Sequence, residues 1–267
     1  MLYARCLGDC TKCPHRNLPL VYRIRSRRRG DSLGVNLYPG RKVCSFDCVY
    51  CFRGPTAVKT LSPVDLGYPA PRDLEKALEL ALSDSADVRS IDFSGNGEPT
   101  LHPRLAELAQ VARTVAGRRG VAASVGVFTN SSTLSERRVV EALRLFDHVE
   151  AKLDTADPAK FEALNRPAAG LRLERILEGL KRLRRACSGV LAVQVMLVDA
   201  GPLSNASFED AEALASALSG VDPDEIHVYT VYRLPWAGGV SKPERSRFEG
   251  FAKALERLGF RVRAYYE

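Results

Sequence analysis

The chain has 267 residues, of which 45% are hydrophobic and 27% charged, and a formal net charge of +7. That length suits one sizeable α/β core better than two small domains. No apolar run approaches the ~18 residues of a membrane span, and the opening residues lack an apolar h-region. A cytoplasmic protein without membrane contact is therefore expected.

The charge is concentrated at the start: residues 1–43 carry ten Lys/Arg against two Asp, and the other 224 carry 29 basic and 30 acidic residues. Two features mark this arm, delimited as 1–31 ahead of a main domain at 32–267. Cys6, Cys10 and Cys13 form a C-x3-C-x2-C triad, and Arg23, Arg25, Arg27, Arg28 and Arg29 follow. If that stretch is extended, Arg23, Arg25 and Arg27 share a face. Such a stripe suits a polyanion, because guanidinium forks bind oxyanions bidentately. Arg also outnumbers Lys 30 to 9 throughout, so a solvated, charge-rich arm is the competing reading.

From residue 33 onward, strand-like runs alternate with amphipathic helical stretches, the signature of βαβ units. Strands are predicted at 33–37, 89–94, 122–129, 148–154, 191–198 and 225–233, with 260–266 as a further edge strand. Helices are predicted at about 71–83, 103–117, 134–145, 171–186, 207–219 and 242–258. Pro71, Pro103 and Pro243 fall where helix starts tolerate proline. Six such units build a partial (β/α)6 TIM-like barrel. Period-2 alternation puts Glu150, Lys152 and Asp154 opposite Val149, Ala151 and Leu153. The charged set should line the lumen, together with Asp92, Ser94, Ser124, Asn130, Gln194, His227 and Tyr229. Cys187 ends a helix and reads as structural.

Active groups of parallel barrels gather at the C-terminal ends of the strands. There, after the first predicted strand, stand Cys44, Cys48 and Cys51, in C-S-F-D-C-V-Y-C. Three thiolates can hold a four-iron cluster with one iron left open, or a zinc ion completed by a distant ligand. Downstream lies Ser94-Gly95-Asn96-Gly97-Glu98-Pro99, whose glycines let a backbone approach a small ligand closely. The triad, Tyr50 before its last Cys, this loop and the serial βα pattern together resemble the radical S-adenosylmethionine (SAM) superfamily. Asn96 departs from that family's Gly-Gly-Glu-Pro element. Lys152-Leu153-Asp154-Thr155, Phe161, Asn165-Arg166-Pro167, the stretch 32–37 and Tyr232-Arg233-Leu234-Pro235 resemble its wyosine-type tRNA-modifying branch.

The resemblance implies a [4Fe–4S] cluster on Cys44, Cys48 and Cys51. It implies SAM held by Tyr50, Ser94, Gly95, Asn96, Gly97, Glu98 and Asn130, with Asp154, Gln194 and Asn205 as positional candidates. It also implies a one-electron donor such as ferredoxin or flavodoxin. Cys6, Cys10 and Cys13 resemble an auxiliary cluster site, with zinc completed by His15 or a remote group as the alternative. Reductive cleavage of SAM would give a 5′-deoxyadenosyl radical that abstracts hydrogen from the substrate, with an RNA base, in tRNA, as the first choice. A peptide- or metabolite-modifying enzyme and a glycyl-radical activase are the alternatives. Lys152 is the candidate catalytic side chain, holding a carboxylate or forming an imine.

Overall fold

The computed structural model describes residues 3–5, 18–83 and 87–267. Cys6, Cys10, Cys13 and His15 lie outside the described residues. Among the described residues, nine strands form one sheet: β1 (Tyr3–Arg5), β2 (Val21–Ser26), β3 (Gly30–Val35), β4 (Ser90–Phe93), β5 (Ser124–Thr129), β6 (His148–Lys152), β7 (Val190–Leu197), β8 (Glu225–Thr230) and β9 (Val262–Tyr265). From β3 to β9 every neighbour is parallel and in chain order. Helices α1 (Pro71–Ser83), α2 (Leu105–Arg118), α3 (Arg137–Leu143), α4 (Pro158–Asn165), α5 (Leu173–Ala186), α6 (Phe208–Leu218) and α7 (Arg245–Arg257) fill the crossovers. The result is the expected partial TIM-like barrel.

Local sequence explains the elements. In α1 the apolar positions Leu74, Ala77, Leu78, Ala81 and Leu82 recur at helical spacing and are all buried. Ser207 and Asp210 form a reciprocal capping box that starts α6. Asp157 caps α4, Pro158 takes its first turn, and Arg166 ends it in a left-handed conformation at φ 46°. The interior faces follow the strand period: Val149 and Ala151 are fully buried beneath the helices, while Glu150 and Lys152 turn into the lumen.

Besides the short β1, two elements bearing on the site were not anticipated. β2 pairs antiparallel with β3, from Val21 opposite Val35 to Ser26 opposite Gly30. The residues named as an arginine arm are thus one strand and the turn of a hairpin within the barrel sheet, and position 31 falls inside β3. Gly34 makes room there for the Tyr22 ring, which would have to shift for a Cβ 2.1 Å away. The other is α4, in a stretch read only for its family-like motifs. Predicted helices also begin late: α2 starts at Leu105 rather than 103, and α3 at Arg137 rather than 134.

Candidate active site

The cysteine loop follows β3 and is fastened on two sides. Val43 accepts from the Glu98 amide at 2.9 Å and donates to the Asn96 carbonyl at 3.4 Å, joining it to the loop after β4. A Cβ on Gly97 would lie 1.6 Å from the Val43 carbonyl oxygen, and Gly97 has φ +114°, so only glycine permits this approach. On the other side, Asp47 and Val49 donate to the carbonyls of Asn165 and Leu164 at 3.0 and 2.9 Å. The Trp236 indole N–H donates to the Cys48 carbonyl at 2.8 Å. Asn165-Arg166-Pro167 therefore serves as a clamp for the cysteine loop.

Each thiol has its own side-chain donor. Lys42 Nζ lies 3.3 Å from Cys51 Sγ, Asn130 Nδ2 3.4 Å from Cys44 Sγ, and Asn165 Nδ2 3.6 Å from Cys48 Sγ. Burial pushes the Cys48 thiol up to about 11 and the Cys44 thiol higher still, with nearby Glu98 adding to the latter. Bound metal is what renders such buried sulfurs anionic. Three thiols on one loop, each faced by its own donor, form a donor set that suits an iron–sulfur cluster.

A cavity of about 380 Å³ opens beside the cysteines. Of the candidate SAM residues, Tyr50, Ser94, Gly95 and Gly97 line it, as do Glu98, Asn130 and Gln194. Glu98 spends its carboxylate internally, accepting from Thr100 N and Oγ1, Thr129 Oγ1 and Asn130 N at 2.6–3.1 Å. It fixes the loop after β4 to the loop after β5.

Three candidates stand behind the wall. Asn96 turns its amide to the Tyr38 carbonyl at 3.3 Å. Asp154 is buried and accepts from Tyr50 Oη, Lys152 Nζ, Asn165 Nδ2 and the Met196 amide. Asn205 is fully enclosed, accepting from Val198 N and donating to the carbonyls of Asp154 and Met196 at 2.8–2.9 Å. These three position the lining residues and do not reach the cavity.

Lys152 lines the cavity, with Nζ 3.2 Å from Asp154 and 3.1 Å from Tyr229 Oη. Burial alone would lower its pKa, but Asp154 and Tyr229 raise it above the ordinary lysine value. The charged form is thus favoured, which suits holding a carboxylate.

The arginines divide into two sets. Arg28 and Arg29, in the hairpin turn, enter the lumen from the N-terminal ends of the strands. Arg28 pairs with buried Glu150, and Arg29 with Asp92 at 3.3 Å and Ser124 at 2.7 Å. Their charges are met inside the fold, and Arg28 also lines the cavity. Arg25 and Arg27 are exposed and border the cavity, while Arg23 is half-buried and does not. Arg27 stacks on Tyr232 at 4.6 Å, and burial together with Arg28 lowers its pKa. Arg53 and Arg233, which the sequence reading did not single out as anion-binding, also line the cavity. Their guanidiniums stack on Phe52 at 4.4 and 4.2 Å. Adjacency to Cys51 was the available signal for Phe52 and Arg53.

A parallel half-barrel with an open thiol triad, a glycine loop bonded to it and a cavity between them defines a radical SAM enzyme. Residues 39–215 match the Radical SAM superfamily, and the chain belongs to it. Within that superfamily it is similar to UPF0026 proteins. It is 35% identical over 181 residues to one from Synechocystis, covering 67% of this chain and 65% of that protein. It is 32% identical over 219 residues to one from Helicobacter pylori, covering 81% and 68%. The chain thus spans about two thirds of the length of these relatives.

Among solved structures, Streptococcus suis SuiB bound to S-adenosylmethionine superposes with a TM-score of 0.61 at 17% identity, over 88% of this chain and 50% of that one. Archaeal TYW1 superposes at 0.55 and 14%, over 85% and 72%. Both likenesses show the shared fold. These two sequence relatives are UPF0026 proteins, so the wyosine-type branch is not singled out. Among the described residues no helix is long and apolar enough to cross a membrane.

Proposed function

We propose that this chain binds a [4Fe–4S] cluster through Cys44, Cys48 and Cys51, cleaves SAM reductively, and directs the resulting radical at a base of a phosphate-bearing substrate, an RNA nucleotide. The bound cluster supplies one electron, drawn from a low-potential donor of the ferredoxin or flavodoxin class, that splits SAM into methionine and a 5′-deoxyadenosyl radical. The protein supplies the rest. Lys42, Asn130 and Asn165 orient and stabilise the sulfurs. Gly95 and Gly97 give backbone access to a small ligand, and Tyr50 offers a ring beside it. Lys152 holds a positive charge in the lumen without exchanging a proton.

The observation that favours a nucleotide is the cavity lining, where Arg25, Arg27, Arg53 and Arg233 stand with the Phe52 ring. Guanidiniums suit phosphates and an aromatic face suits a base. Single-stranded or everted nucleotides present both groups at once.

Anaerobically reconstituted protein with SAM and dithionite should yield 5′-deoxyadenosine, and Cys44→Ala should abolish it together with most of the cluster absorbance. For the substrate, modified nucleosides in tRNA are compared between cells with and without the gene. A missing nucleoside supports the reading. An unchanged profile, with no salt-sensitive RNA binding by the wild type or loss of it in an Arg53→Ala/Arg233→Ala variant, turns it toward a peptide or metabolite. We assign a second cluster to Cys6, Cys10 and Cys13; iron near eight per chain rather than near four is the expected count.

A further inference from the structure

Three side chains that the active site does not use converge near the N-terminal ends of the strands. His148 opens β6, Glu150 follows on the same face, and His227 lies on β8. Their exposures are 7%, 0% and 3%. One ligand atom from each lies within 4.8 Å of the other two. His148 Nε2, Glu150 Oε2 and His227 Nδ1 are also among the few buried side-chain atoms without a hydrogen-bond partner. Buried polar atoms are nearly always paired, and leaving one unpaired costs roughly 1–3 kcal/mol. The three do meet as ion pairs, His148 Nε2 3.8 Å from Glu150 Oε2 and His227 Nδ1 3.4 Å from Glu150 Oε1, but without hydrogen-bond geometry, a spacing that a shared ion would fill.

The remaining atoms of the group are held from outside. Arg28 takes Glu150 Oε1, leaving Oε2 available as a single ligand. His227 Nε2 lies 2.9 Å from Glu225 Oε2, and Glu225 is itself held by Arg263 at 2.8 Å. A histidine tied to a carboxylate through one ring nitrogen presents a fixed lone pair on the other, the arrangement typical of metal-bound imidazole. β7 runs between the two ligand strands and places Ala192 in register with both Glu150 and Glu225. Its small side chain leaves the span across β7 clear.

We propose that His148 Nε2, Glu150 Oε2 and His227 Nδ1 bind one divalent transition-metal ion of the zinc class, separate from the cluster. Two imidazoles and a carboxylate suit that ion, and bonds of about 2.0–2.2 Å bring such ligand atoms to about 3.4 Å from one another. The observed 3.8 Å from His148 Nε2 to Glu150 Oε2 and 3.4 Å from His227 Nδ1 to Glu150 Oε1 are near that spacing. The ion ties β6 to β8 across β7 at the floor of the barrel, away from the cysteines, and its role is to brace the fold.

The test measures zinc, iron and sulfide in reconstituted full-length protein supplied with zinc and then desalted, with zinc-edge X-ray absorption on the same samples. The expected result includes zinc with nitrogen and oxygen neighbours at about 2.0–2.1 Å. His148→Gln and His227→Gln, made separately, should each lose about one zinc per chain with iron unchanged, and should lose the zinc-dependent rise in melting temperature. Equal zinc in wild type and both variants overturns the proposal, as does a wild-type zinc shell made of sulfur alone. If one variant does not fold, the other carries the comparison. If neither folds, the wild-type shell decides: two imidazoles with a carboxylate and no sulfur supports the site, and any other shell overturns it.

Discussion

The two ends of the barrel lumen use polar groups in opposite ways. At the C-terminal ends, side chains point their donors at sulfur: Lys42, Asn130 and Asn165 each reach one thiol. At the N-terminal ends, charges meet one another: Arg28 with Glu150, Arg29 with Asp92, and His227 and Arg263 with Glu225. The first end is completed by a cofactor. The second is largely completed by the hairpin turn of β2 and β3, which pushes two guanidiniums into the strands. One sheet thus separates chemistry from bracing along a single axis, and damage at the two ends should register differently.

The largest effect is expected from Gly97→Ala. The new Cβ meets the Val43 carbonyl in a backbone conformation L-residues rarely adopt. Relief requires parting the cysteine loop from the loop after β4, at a cost of about 3 kcal/mol or more. Iron per chain should fall steeply while far-UV circular dichroism changes little. Full iron retention would show that the two loops move independently. Next comes Arg28→Met, which leaves Glu150 charged and buried; breaking such a pair costs roughly 3–5 kcal/mol. Urea unfolding should show that loss, and Arg28→Met with Glu150→Gln should recover part of it, so the cycle reads a coupling. If the single variant is as stable as wild type, the floor does not depend on this pair.

The contrast between the ends was only half legible in the sequence. Strands β3 to β8 were readable because apolar residues alternate with polar ones and helices intervene at regular spacing. The cysteine loop was readable because ligand spacing is local. The hairpin was not, because Arg23, Arg25 and the turn arginines read as a charged arm, while the alternation of Tyr22, Ile24 and Ser26 is short. Only the fold shows that Arg28 finds Glu150 at a separation of 122 residues. The same limit explains Asp154 and Asn205. Their residue types and strand-end positions suited a ligand, yet Tyr50 and the Met196 backbone reached them first. Asn165 was noticed within a motif, but its contact with the Cys48 sulfur depends on the unanticipated α4.

Acid should loosen the upper end before the lower one. His102 follows the short helix Pro99–Leu101, is fully buried, and accepts from the Arg104 amide at 3.2 Å through Nδ1. Burial, with a smaller push from Arg104, lowers its pKa to about 4. The unfolded chain therefore takes up this proton first. The stability involved is complete above about pH 6.5 and is lost as pH falls toward 4, reaching at most about 3 kcal/mol. Glu150 is held well below the usual carboxylate range by Arg28 and the two histidines despite its burial, so the Arg28 pair persists through that window. Urea unfolding between pH 4.5 and 7 should slope upward in wild type and less steeply in His102→Gln. Identical slopes would remove His102 from the account.

The smallest expected effect is the most specific to the upper end. Lys42 is buried and donates to the Gly54 carbonyl at 2.6 Å as well as to Cys51 Sγ. If its work is only to hold the loop, Lys42→Met should change iron content and nothing else. If the cation also acts on the sulfur, its loss disfavours the reduced, more negative cluster, and the midpoint potential must fall, since hydrogen bonds to sulfur set such potentials. Each 1.4 kcal/mol of lost preference for the reduced form corresponds to about 59 mV in a one-electron couple. Redox titration followed by electron paramagnetic resonance reads this without substrate. Lys42→Arg, which keeps the charge, should stay nearer the wild-type value. A potential unchanged in Lys42→Met with full iron would assign Lys42 to the loop alone and leave the tuning of the sulfurs to Asn130 and Asn165.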